Sequence, residues 1–120
     1  MNRTAKFGCV ALLVFAGSAA AMDSNGLYVT HGTVACSELL DARETDDASH
    51  HEWWIAGWLT AANFQRDSTF DVVPDDTSRA DIMAWLEDYC RTHETESLAD
   101  GVVWLFRGLF PSRIQQAPAQ

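Results

Sequence analysis

The stretch "WLEDYCRTHETESLADGVVWLF", residues 85–106, decides the fold. It reads as the end of one amphipathic helix and most of the next, with Cys90 pointing inward one turn before the first helix stops. Over residues 78–91, Ile82, Trp85, Leu86 and Tyr89 share one helical face with Cys90 at its edge, while Glu87 and Asp88 fall on the solvent side. Ser78 and Asp81 have the spacing of a capping box, and Ser97 and Asp100 repeat it before the following helix. In that helix Leu98, Val102, Leu105 and Leu109 form a stripe, broadened by Val103 and Phe106. Gly108 and Pro111 supply its stop.

Cys90 raises the question of a partner. Residues 1–21 have the layout of a secretory signal peptide: Arg3 and Lys6, an apolar run from Phe7 to Phe15, then small residues ending Ala19-Ala20-Ala21. The run is shorter than the roughly 20 apolar residues a bilayer-spanning helix needs. Cys9 lies at its start, the wrong end for a lipid attachment. Cleavage after Ala21 leaves Cys36 and Cys90 as a single pair. In an oxidising compartment, periplasmic or extracellular, two such thiols are expected to form a disulfide. On the chain-entropy model a loop of this length stabilises the fold by about 4 kcal/mol. Without Arg3 and Lys6 the chain keeps six basic residues against 17 acidic ones, a formal charge of −11. That balance argues against nucleic acid and anionic membranes, which both require a basic footprint.

Outward from these helices, residues 22–32 read as an extended lead-in, 33–110 as a helical disulfide-tied domain and 111–120 as a flexible polar tail. In "TVACSELLDAR" (33–43) Cys36, Leu39 and Leu40 share a face, with Thr33 as its N-cap. Residues 44–51 form a charged connector. The helix over 51–64 has two adjacent apolar stripes, one through Trp54 and Trp58 and one through Ile55 and Leu59. So broad an arc predicts a central helix covered on several sides, with Gly57 permitting close packing between tryptophans. Asn63 helps to end it. Residues 65–78 read as a long loop, within which Phe70 to Val73 is the one β-rich fragment. The expected fold class is all-α, a small four-helix bundle-like domain preceded by a signal peptide.

A leader is followed by a helix bearing one cysteine, then by "WIAGWLTAAN" (54–63), "WLEDYC" (85–90) and a helix of the form L-x-x-x-V-x-x-L. This combination resembles the small exported bacterial proteins grouped around the acid-stress chaperones HdeA and HdeB. It also resembles the Tai-type immunity proteins. The resemblance covers about residues 33–110. It implies a protein dormant at neutral pH that exposes apolar surface in acid and holds denatured clients. The immunity-type alternative implies an inhibitor of a basic secreted toxin or hydrolase.

The residues offer matching surfaces. Trp53, Trp54, Trp58 and Phe64 are candidates for a client or partner surface, or for a platform that stacks on sugars. Trp53 and Trp54 point about 100° apart on a helix, so one must leave the core stripe, which hints at a partner subunit and a homodimer. Asp46, Asp47, Asp75 and Asp76 are candidates for an acidic face toward a basic partner. His50, His51 and Glu52 form no H-E-x-x-H pair, and adjacent histidines are expected to diverge on a helix. With no G-x-S-x-G, phosphate loop or EF-hand loop, the sequence is read as non-enzymatic, with no metal or cofactor.

Overall fold

The computed structural model describes residues 24, 25 and 27–119. The leader expected over residues 1–21 lies outside them. Among the described residues the elements are four α-helices and a terminal 3-10 turn, with no strand. These are α1 (Cys36–Glu44), α2 (Ser49–Gln65), α3 (Arg79–Thr92), α4 (Leu98–Leu109) and the turn Phe110–Ser112.

The two capping boxes form as the sequence predicts. Ser78 accepts from the Asp81 backbone N–H, and the Asp81 side chain accepts from that of Ser78; Ser97 and Asp100 do the same at α4. The remaining donors of the first turn of α4 are met from far along the chain. Leu98 N–H donates to the Val34 carbonyl at 2.8 Å, and Ala99 N–H donates to the Thr33 hydroxyl at 3.1 Å. Thr33 therefore caps α4 and not α1, a correction to the sequence expectation. The N-cap of α1 is Ala35, which has no side-chain acceptor. Here the Glu96 carbonyl takes the Cys36 N–H at 2.9 Å. The short antiparallel bridge Ala35–Ser97 thus ties the entries of α1 and α4 together and satisfies orphan donors of both.

Cys36 and Cys90 are bonded, with an S–S distance of 2.06 Å and Cα atoms 4.9 Å apart, and both are fully buried. Around them lie Leu39, Leu86, Leu98 and Val102, also fully buried. The central helix is α3, against which both α1 and α4 pack, whereas α2 makes a thinner contact with α4. This reverses the expectation of a central α2. The buried residues of α2 are His51, Ile55 and Leu59, a single i, i+4, i+8 stripe, and the tryptophan stripe forms its rim. The buried face of α3 is also displaced by part of a turn. It runs through Ile82, Met83, Leu86 and Cys90, leaving Trp85 exposed and Tyr89 half-buried.

Two glycines exchange roles. A Cβ at Gly57 would meet nothing within 4 Å, so no tryptophan packs closely there. A Cβ at Gly101 would come 3.0 Å from Tyr89 Cδ1 and 3.3 Å from Leu86 Cδ2. The close approach lies between α3 and α4.

The loop over 66–78 is pinned at its middle. Val72 is fully buried; its N–H donates to Asn63 Oδ1 at 2.7 Å, and Asn63 Nδ2 donates to Asp71 Oδ1 at 3.1 Å. Asn63 thus lies inside α2 and fastens the loop. The first residues beyond the terminal turn are fastened too, unlike the free tail expected from 111. Ile114 and Asp71 exchange backbone hydrogen bonds of 2.8 and 3.1 Å. Arg113 donates to the Ser68 carbonyl and stacks 4.0 Å over Phe110. The β-rich fragment noticed at Phe70 to Val73 is used here, as an isolated bridge.

Candidate functional site: the aromatic face of the second helix

Trp53, Trp54 and Trp58, three of the four candidate contact residues, line one open cleft of about 390 Å³ together with Gly57, Tyr28 and His31. Helical spacing puts Trp54 and Trp58 one turn apart, with Gly57 beside them as bare backbone at the floor. Trp54 is oriented by its ring nitrogen, which donates to the His31 carbonyl at 2.6 Å. That contact needs the chain to turn tightly: Gly32 has φ +75°, and its missing Cβ would sit 3.0 Å from the indole. Trp58 packs edge-on against Phe106 with ring centroids 5.7 Å apart. Trp53 is the tryptophan that leaves the core stripe, 69% exposed, with the Arg79 guanidinium 5.5 Å from its ring centre. Phe64 is 93% exposed on the same helix but does not line the cleft.

The underside of α2 is polar at its N-terminal end. Arg43, at the close of α1, donates from Nε to Glu87 of α3 at 2.6 Å and lies 3.4 Å from Glu52 of α2. Arg91 joins the same Glu87 carboxylate at 3.3 Å. Arg43 is therefore the hub joining three helices, and Glu87, which the sequence pattern had put on the solvent side, is half-sheltered beneath it. His51, expected where connector and helix meet, is inside α2 and only 2% exposed. Burial first and the neighbouring His50 second hold its imidazole below the ordinary value of 6.5, against the opposing pull of Glu38 and Asp47. The rings of His50 and His51 do not diverge. Their centroids lie 3.7 Å apart at 46°.

The acidic candidates are all exposed but sit in separate loops. Asp46 and Asp47 occupy the α1–α2 turn, with Asp46 at φ 55°, and Asp75 and Asp76 precede α3. A second groove of about 250 Å³ runs between α2 and the 71–79 segment, floored by Ile55, Leu59 and Met83 and rimmed by Asn63, Asp71 and Arg79. Among the described residues, no group of three His, Cys, Asp or Glu side chains is placed to hold a metal ion. No described helix is long and apolar enough to cross a membrane.

Sequence reasoning missed His51, Tyr28 and the Arg43–Glu87 pair. The i, i+4 relation of His51 to Ile55 and Leu59 was the available signal for the first. Nothing local marks the other two. No family model, curated protein or solved structure matches this chain.

Proposed function

We propose that this chain is an exported, non-enzymatic protein that binds unfolded polypeptides under acid stress, with the aromatic face of α2 as its contact surface. The observation that carries this reading is the contrast within one helix. Trp53, Trp54, Trp58 and Phe64 offer apolar area outward. Inward, the helix is held at its N-terminal end by groups that change charge with acid: Glu52 facing Arg43, and His51. Once the pH is below the ordinary carboxylate values near 4, the 17 carboxylates are neutral, the six arginines are still cationic and the four histidines have become so. The formal charge passes from −11 to about +10. Glu52 and Glu87 then no longer balance Arg43, and repulsion among like charges opposes the compact state. The freed apolar underside of α2, Ile55 and Leu59, adds to the sticky area. No cofactor enters the reading.

The test uses the mature protein and an acid-denatured client at pH 2 to 3, with light scattering for aggregation and an apolar-surface dye for exposure. Suppressed scattering together with a rise in dye signal is the expected result. An unchanged signal in both assays removes the reading.

A second reading, an immunity-type inhibitor of a basic secreted partner, draws on the exposure of Asp46, Asp47, Asp75 and Asp76. It calls for a specific basic protein bound at neutral pH and released by salt.

A further inference from the structure

We propose that His51 is the trigger that opens α2: gaining a proton unseats the first turn of the helix from α1 before the carboxylates titrate. This rests on the acid-response reading above and names its switch.

Among the described residues His51 is the one buried polar or charged side chain. A neutral imidazole can be kept there at modest cost, whereas an imidazolium has to be stripped of water to stay. Its position makes that worse. His51 is the third residue of α2, in the first turn, where the N–H groups and the positive end of the helix dipole repel a cation. On its own helix its ring lies 3.7 Å from that of His50, which disfavours a charge on His51. From α1 it faces Glu38, and from the α1–α2 turn Asp47, the two groups that favour the cation. Next along α2 is Glu52, engaged with Arg43 of α1, which reaches in turn to Glu87 of α3. If the His51 ring leaves its seat, the Glu52–Arg43 contact leaves with it, and the helix loses the polar tie at its N-terminal end.

The sign follows from proton linkage. The closed form holds the His51 proton less tightly than an open one, in which the ring regains water and a value near 6.5. Stability of the closed form is therefore complete above pH 6.5 and is lost as pH drops from there through the lowered folded value. Carboxylates begin to contribute about two pH units lower. The opening of α2 is expected as an early step separate from general acid denaturation.

The experiment compares the mature wild type with His51→Gln and His50→Gln, following tryptophan emission and dye binding from pH 8 to 2. NMR titration of the imidazoles in the wild type runs alongside. The expected result is an opening in the wild type that tracks the His51 titration below 6.5. In His51→Gln the midpoint moves down by about one pH unit or more toward the carboxylate range, and in His50→Gln it moves less, in the same direction. A His51→Gln protein that opens at the wild-type pH overturns the trigger while leaving acid activation in place. A wild type that never opens above pH 2 overturns both. Should His51→Gln not fold, the NMR arm decides: a His51 that titrates at or above 6.5 in the folded domain overturns the proposal.

Discussion

Gly101 and Gly57 both lie within continuous helices, and their surroundings differ sharply. Gly101 lets α4 press against Tyr89 and Leu86 of α3, beside the buried disulfide and two capping boxes. Gly57 lies open on a cleft between half-exposed tryptophans, with no atom near enough to require its lack of a side chain. The α1–α3–α4 side is held mainly by covalent, backbone and close-packing contacts that acid leaves intact, beside a few that involve carboxylates: the two caps, the Arg43–Glu87 pair and the Tyr89–Glu96 hydrogen bond. α2 is held by one apolar stripe, by the Trp58–Phe106 contact, by side-chain hydrogen bonds of Trp54 and Asn63, and by charges at its N-terminal end. Under the acid response proposed above, this division would let α2 open while the other helices stay folded.

The largest test of this division is removal of the bridge. The double variant Cys36→Ser, Cys90→Ser should lose about 4 kcal/mol in urea unfolding. A loss under about 1 kcal/mol would erase the asymmetry. Gly101→Ala forces the Tyr89 ring to move and should cost about 1–3 kcal/mol, read from the same unfolding curves. Ser78→Ala and Ser97→Ala each remove a cap from the stapled side and should cost about 1 kcal/mol. Gly57→Ala should go the other way and raise stability by up to about 1 kcal/mol, since nothing opposes the added methyl. A destabilised Gly57→Ala would show that the cleft is tighter than described and blur the contrast. The smallest effect is alkaline. Burial, then the hydrogen bond Tyr89 donates to Glu96, pushes the phenol up to about 12. Its contribution is whole below pH 10 and lost as pH climbs through 12. Stability of the wild type should thus fall more steeply than that of Tyr89→Phe above pH 10, measured by thermal melts in parallel.

What was legible in the sequence was local. The Ser78–Asp81 and Ser97–Asp100 boxes and the stripe of α4 follow from spacing within one helix, and the disulfide from the count of cysteines left after the leader. The reading of α2 as central failed because tryptophan counts as apolar in any periodicity, while its large ring can cover the edge of a core without entering it. Thr33 was assigned to the nearer helix because the hydrogen bond it accepts comes from a residue 66 positions away. The Ile114–Asp71 bridge consists of backbone groups and leaves no residue-type mark at all. In the candidate site the tryptophans were visible from composition. The seating of His51 and the Arg43–Glu87 hub depend on how separate helices meet.

The sealed position of Cys36 and Cys90 sets how reducing agents can act on this molecule. An attacking thiolate has to reach a sulfur directly, and neither cysteine offers any surface in the folded domain. Exchange must then wait for molecules in which α1 has swung off α3. The speed at which a small thiol consumes the bond therefore clocks the breathing of the stapled half, a quantity that equilibrium melting alone does not give.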